Sequence, residues 1–267
     1  MSTKISLIGC GKMGSALLSG WLERFPDLEF GVVEPGQLSD ALENKVLHKH
    51  SAEELAAYIK DCAAVILAVK PQIMSDVCIG LKPFLPSSAL VLSIAAGQSL
   101  ANFESYLSPD QPIVRAMPNT PAAIGQGMSV AIANAAVTED QKNLAADLLG
   151  AAGLFEWVED ESLLNAVTAV SGSGPAYIFY FIEALEQAAL EAGLPAPLAT
   201  TLARQTVIGS AALAADQADT PAATLRENVT SPGGTTAAAL DVLMNGEFQD
   251  ILTKAILAAK NRGEELS

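Results

Sequence analysis

Short apolar runs alternate with amphipathic segments over the first part of the chain. Lys4 to Gly9 predicts a β-strand, Lys12 to about Arg24 a helix, and Phe30 to Val33 a second strand. Ala63 to Val69 and Leu90 to Ile94 are apolar without interruption, and Pro112 to Arg115 is a shorter run of the same kind. Strands that are apolar on both faces belong in a parallel sheet covered by helices on each side. Ser129 to Ala133 and Leu154 to Val158 extend the sheet, with a helix from Glu139 to about Leu149 between them.

After Glu159 the strand pattern stops and helical periodicity takes over. Ala176 to Ala192 ends at Gly193 with Pro195 beyond, a strong stop signal. Pro197 opens a helix that runs to about Ala215. Thr220-Pro221 opens a short one, with threonine as the expected cap and proline in the first turn. Thr235 to Met244 and Glu247 to Leu266 complete the set, separated by Asn245-Gly246. The change of pattern places a domain boundary near residue 160.

Half of the residues are hydrophobic and 17% are charged, a globular composition rather than a disordered one. The formal net charge of −15, with 15 Lys and Arg scattered among 30 Asp and Glu, argues against a nucleic-acid surface. An anionic ligand must therefore be held by backbone N–H groups or by a few placed cations. Cys10, Cys62 and Cys78 form no CxxC pair and have no nearby histidine, so no metal site is expected and a reducing cytosol without disulfides fits best. The opening residues are not expected to act as a signal peptide, because their short apolar run breaks at glycine. Ser162 to Ile182 carries no charge, but Ser171-Gly172-Ser173-Gly174-Pro175 interrupts it. It reads as a buried helix pair or kinked helix and not as a membrane span.

Gly9-Cys10-Gly11-Lys12-Met13-Gly14 is a G-x-G-x-x-G that follows Ile8 at the end of the first strand and opens the first helix. In that context the glycines allow a tight turn and close approach of a pyrophosphate, and the helix N-terminus supplies N–H groups. This makes the first 160 residues an α/β Rossmann-like, dinucleotide-binding domain. Glu34 lies about twenty residues beyond the last glycine, where an acid accepts from the adenosine ribose and repels a 2′-phosphate; equally, it can be a solvated acid beside the Pro35-Gly36 turn. Ala68-Val69-Lys70-Pro71 ends another strand, at the edge where open sheets bind ligands. Arg115-Ala116-Met117-Pro118-Asn119-Thr120-Pro121 does the same. Met117 and Pro118 offer an apolar wall for a nicotinamide, and Asn119 and Thr120 offer partners for its carboxamide. The plainer reading is a stiff strand exit with Arg115 in a surface salt bridge.

Ser231-Pro232-Gly233-Gly234-Thr235-Thr236 is a second glycine turn at a helix start, suited to a carboxylate or phosphate or serving as a simple cap. The rest of the catalytic inventory is sparse. His48 and His50 follow the second strand on the side expected for adenosine, and no Ser-His-Asp set or paired-carboxylate pattern occurs. A ketone reductase needs a proton donor for the developing alkoxide, whereas a protonated imine already carries its proton. Reduction of an imine can rest on proximity and orientation of two bound partners.

With these blocks assembled, the sequence resembles the pyrroline-5-carboxylate reductase family over essentially its whole length. The blocks are Ile8 to Gly14, Ala68 to Pro71, Ser93-Ile94-Ala95-Ala96-Gly97, Arg115 to Pro121, Ser171 to Tyr177, and Ser231 to Thr236. The resemblance implies a Rossmann-like domain over residues 1–160. It implies a helical dimerisation and substrate-binding domain over residues 161–267, which completes the active site of a second subunit in a homodimer or an assembly of dimers. It further implies hydride transfer from NADPH or NADH to the imine carbon of 1-pyrroline-5-carboxylate, giving L-proline. In that picture Ser231, Gly233, Gly234 and Thr235 hold the substrate carboxylate through backbone N–H groups, and Thr236 bonds the ring nitrogen. The family commonly uses NADPH, and Glu34 departs from the small polar residues usual at its position, which favours NADH more than is typical.

Two other readings are weaker. A 3-hydroxy-acid-type dehydrogenase of similar architecture calls for a lysine on a second-domain helix, and none occurs between Glu159 and Lys254. A non-catalytic dinucleotide sensor has no use for the loop at Ser231.

Overall fold

The structure, a computed structural model, describes residues 3–266. Eight strands form one sheet: β1 (Lys4–Ile8), β2 (Glu29–Val33), β3 (Leu47–Lys49), β4 (Cys62–Leu67), β5 (Leu90–Ser93), β6 (Ile113–Met117), β7 (Gly127–Ala133) and β8 (Gly153–Trp157). Their order is β3-β2-β1-β4-β5-β6-β7-β8. Helices α1 (Lys12–Arg24), α2 (Asp40–Glu43), α3 (Ala56–Ile59), α4 (Met74–Leu81), α5 (Leu100–Tyr106) and α6 (Glu139–Gly150) accompany the strands.

Alternation along each central strand sends residues to two separate apolar layers. Ile5 and Leu7 of β1 and Ile66 of β4 join Leu17, Trp21 and Leu148 on one face. Ile8, Val65 and Leu67 join Met74, Cys78 and Phe103 on the other. A fully buried Leu or Ile contributes roughly 1.5–3 kcal/mol, so the doubly covered strands anchor the sheet. Trp21 also donates from Nε1 to the Leu148 carbonyl at 2.6 Å, tying α1 to α6 inside the core.

The sheet departs from the all-parallel expectation at one step. β6 and β7 pair antiparallel, and β8 then runs parallel to β7. A parallel neighbour needs a crossover of a dozen or more residues. Residues 118–126 form only a compact turn with a 3₁₀ segment at Thr120–Ile124, so the chain reverses beside β6.

Two compact units result, one of residues 1–173 with 259–267 and one of Gly174–Ala258. The strands end at Trp157, but α7 (Leu163–Val167) still belongs with the sheet because Leu164 packs on Val130 and Ile132. A π turn over Thr168–Gly172 follows. The second unit holds α8 (Gly174–Glu191), α9 (Ala196–Asp216), α10 (Ala222–Asn228), α11 (Thr235–Leu243) and most of α12 (Glu247–Glu265). The last turns of α12 return to the first unit.

Two expectations need correcting. Pro221, not Thr220, is the N-cap of α10, since Thr220 is still engaged in the preceding turn through its N–H to the Gln217 carbonyl at 2.8 Å. The run Ser162 to Ile182 is indeed broken, by the π turn, but its second half is not buried: Phe179 is 60% and Tyr180 70% exposed. No helix among the described residues is long and apolar enough to cross a membrane.

Arg115 is also not on the surface. Its side chain is 7% exposed and meets Glu161 Oε1 at 2.7 Å, and the same oxygen accepts from the Leu100 N–H at 2.8 Å. One carboxylate therefore ties β6, the start of α5 and the approach to α7 together. Removing one partner of such a pair leaves a buried charge uncompensated, which costs about 3 kcal/mol. Glu161→Ala should lower the unfolding free energy by that amount in urea titrations.

Candidate active site

The turn between β1 and α1 lies at the carboxyl edge of the sheet, where β1 has β2 on one side and β4 on the other. This reversal of strand order is the place at which open sheets take ligands. Gly9 has φ +90°, and a Cβ there would stand 2.8 Å from the Ala68 carbonyl oxygen. A Cβ on Gly14 would stand 2.6 Å from the Gly9 oxygen and 3.3 Å from Ala68 Cβ. Gly11, the N-cap of α1, is exposed and would meet nothing within 4 Å. The outer glycines thus close the turn, and the middle one leaves room above it. No acid occupies the first turn of α1, so its N–H groups and partial positive charge face that room.

Glu34 follows β2 and reaches back to this turn. Its Oε2 accepts from the Cys10 N–H at 2.7 Å, and its Oε1 from the Gly36 N–H at 3.1 Å. His48 on β3 bonds the Glu34 carbonyl at 2.9 Å and lies edge to face with His50, ring centroids 4.8 Å apart. Burial, and then the charge of Glu34, push the Cys10 thiol up to about 11, which keeps it protonated at neutral pH.

Ala68, Val69, Lys70 and Pro71 leave β4 beside the glycine turn. Ala68 donates its N–H to the Ile8 carbonyl at 2.8 Å, and exposed Lys70 precedes a 3₁₀ turn begun by Pro71. Beyond them a cavity of about 520 Å³ opens among Pro71, Ala96, Gly97, Asn165, Thr168 and Ser173. Met117 and Asn119, at the exit of β6, hold the adjoining Ser171-Gly172 segment. A Cβ on Gly172 would stand 2.7 Å from Met117 Cε. The Asn119 amide donates to the Ser171 carbonyl at 3.2 Å and accepts from the Met128 N–H at 2.8 Å. Pro118 is buried between these two side chains in sequence, and Thr120 is exposed.

In the second unit, Gly233 has φ +69° and Gly234 is the N-cap of α11. The Gly234 N–H donates to the Ser231 carbonyl at 3.0 Å, closing the turn. Thr235 is exposed and Thr236 half-buried in the first helical turn, which carries no acid. Each of the two glycine turns thus presents a helix N-terminus that an anion can approach.

Residues 161–266 match the model for pyrroline-5-carboxylate reductase dimerisation, and residues 4–97 match that for NADP oxidoreductase, coenzyme F420-dependent. The chain is 40% identical to the pyrroline-5-carboxylate reductase of Pseudomonas aeruginosa, covering all of this chain and 98% of that one. Among solved structures, that from Coxiella burnetii superposes with a TM-score of 0.92 at 37% identity, covering 100% of this chain and 99% of the other. The enzyme from Plasmodium falciparum, with NADP bound, gives 0.84 at 31%, covering 99% and 98%. The chain belongs to the pyrroline-5-carboxylate reductase family.

As a reductase of this family it binds NAD(P)H, and the glycine turn after β1 has the open side that such a cofactor needs. Three further contributors were not visible in the sequence. Glu161, which no motif singled out, pairs with buried Arg115 on β6, the strand that ends at Met117. Asn165 and the last turns of α12 also line the cavity, and a glycine inside a helix, Gly263, was the one local hint of close packing there. The glycine geometry separates two variants. Gly11→Ala should leave thermal stability within about 1 kcal/mol, since its Cβ is free, but raise the Kd for NADH at least about tenfold. Gly14→Ala should instead lower stability by about 2 kcal/mol through overpacking. Calorimetry and fluorescence titration distinguish them.

Proposed function

We propose that the chain reduces 1-pyrroline-5-carboxylate to L-proline with NADPH or NADH, the last step of proline formation. The observation that carries this reading is the second glycine turn, Ser231 to Thr236, on a chain that matches the family from end to end. A dehydrogenase or sensor that merely shares the sheet has no use for that turn.

The residues support a division of labour. Gly9, Gly11 and Gly14 make room for the pyrophosphate, and the N–H groups of Lys12 and Met13 at the start of α1 face it. The exits of β4 and β6, Ala68 to Pro71 and Met117 to Asn119, flank the nicotinamide, which supplies the hydride. Ser231, Gly233, Gly234 and Thr235 offer backbone N–H groups to the substrate carboxylate. Thr236 directs its hydroxyl at the ring nitrogen, orienting the imine and accepting the product amine's N–H. A protonated imine brings its own proton, so orientation carries the rate and no buried acid is needed.

The second unit supports a homodimer as the working form. Ile178, Phe179, Tyr180 and Phe181 on α8 are each exposed by 46% or more, and such a patch on one helix suits burial against a second copy. In that assembly the turn at Ser231 serves the partner's cofactor domain, and dimers can associate further. Three free cysteines, with Cys62 and Cys78 pushed up to about 12 by burial, suit a cytosolic setting.

Mixing the protein with pyrroline-5-carboxylate and NADPH, or NADH, should consume the cofactor at 340 nm (approximately the reduced-nicotinamide band) and yield proline by chromatography. Absence of proline with both cofactors, in folded dimer, overturns the reading. Thr236→Ala should lower kcat/KM for the imine by about tenfold or more while the Kd for NADH stays within about twofold. An acid at Glu34 repels a 2′-phosphate, so both cofactors should work, with NADH relatively better than is usual for the family. Glu34→Ser should raise the NADPH-to-NADH ratio of kcat/KM by about tenfold, and a strong NADPH preference in the unaltered protein would refute that role.

A further inference from the structure

The cavity beside the exits of β4 and β5 has a wall that the function above leaves unused. That wall is the end of α12, and it contributes Ala259, Arg262, Gly263 and Leu266. It is seated closely at two points. Gly97, after β5, has φ +68°, and a Cβ there would stand 2.9 Å from the Leu266 carbonyl oxygen. A Cβ on Gly263 would stand 3.2 Å from Asn165 Oδ1. At Gly97 only a residue without a side chain fits against the Leu266 carbonyl, whereas at Gly263 the Asn165 side chain would need to give by a few tenths of an ångström. Arg262 immediately precedes Gly263, at the second of these contacts.

The chemistry of the lining is one-sided. Gln72, Gln98, Asn165, Thr168 and Ser173 are polar and uncharged, and Arg262 is the single charged residue among the described residues that line the cavity. Its guanidinium Nη1 meets Glu265 Oε2 at 2.6 Å, with both side chains about two-thirds exposed. The pair is therefore weak and exchangeable. The chain as a whole carries −15, so its net field disfavours the approach of a carboxylate. A local cation at the mouth of the cavity offsets that field over a short range.

We propose that Arg262 recognises the anionic substrate: its guanidinium draws the carboxylate of the imine into the cavity by exchanging Glu265 for it, as the carboxylate's first contact with the chain. This rests on the function proposed above. Glu265 is then a counterweight that keeps the guanidinium aimed and also competes with the substrate. The glycine turn after β1, which suits the cofactor phosphates, follows a different strand from those at this cavity, so cofactor affinity should not depend on Arg262.

The test compares Arg262→Gln, Arg262→Lys and Glu265→Gln in the full-length protein, all exposed changes that should leave Tm and dimer mass unaltered. Arg262→Gln should raise KM for pyrroline-5-carboxylate about fivefold, with kcat within about twofold. Arg262→Lys should recover most of that loss, and Glu265→Gln should shift KM in the opposite direction. The rise in KM with sodium chloride should be flatter in Arg262→Gln than in the unaltered protein. A merely structural role does not give opposite signs or a changed salt slope. An unaltered KM and salt slope in Arg262→Gln overturns the proposal. So does a weakened Kd for NADPH and NADH with KM for the imine unchanged, which assigns the charge to the cofactor phosphates. If the unaltered protein itself makes no proline, the failure lies with the proposed function and not with Arg262.

Discussion

The approach of α1 to β4 is the contact on which the cofactor side of the molecule depends. Gly9 brings its backbone against the Ala68 carbonyl, and Gly14 lets the helix come down on Gly9 itself. Glycine inside a helix costs about 1 kcal/mol relative to alanine, so Gly14 is there for the space and not for the helix. Because the helix starts so low, its N-terminus sits at the sheet edge instead of above it. The same seating carries Trp21 into the core, where its indole finds the Leu148 carbonyl. Cofactor geometry and core packing thus share one cause.

Much of this architecture was legible from local signals. Strands buried on both faces announce themselves as unbroken apolar runs, and β1, β4 and β5 fall within a residue or two of where those runs stand. The glycine spacing by itself specifies the turn, since Gly9 and Gly14 each answer a short-range steric demand. What escaped were features set by distant parts of the chain. β3 is three residues long and carries His48, so it has no apolar run to read. The reversal at β7 depends on the connection being too short for a crossover. Glu161 owes its role to Arg115, forty-six positions away in sequence, and no periodicity reports such a pairing. The aromatic run on α8 read as buried because hydrophobicity tells that a face is covered without telling by what.

The two units solve the anion problem in the same way. A chain this acidic cannot hold phosphates or carboxylates by general attraction, and its few cations are spread thin. Both glycine turns instead present backbone N–H groups at a helix start, a geometry suited to an anion that adds no net charge of its own. The Arg262 wall adds a cation only where an anion must first be recognised. Placing it on an exposed helix turn, balanced by Glu265, avoids the desolvation that a buried arginine would need.

The return of α12 to the first unit also has a consequence for how the chain is made. Residues 259–266 are synthesised after the whole of the second unit, yet they pack on Gly97 and Asn165, which left the ribosome much earlier. The Rossmann-like unit must therefore wait, with one face of its cavity uncovered, while the intervening helices are translated. Domains usually complete themselves in order of synthesis, whereas this one finishes out of turn. A nascent chain can have its glycine turn and its sheet in place and still lack the wall that closes the cavity, so maturation of the site waits for the synthesis of α12 and not for the folding of the sheet.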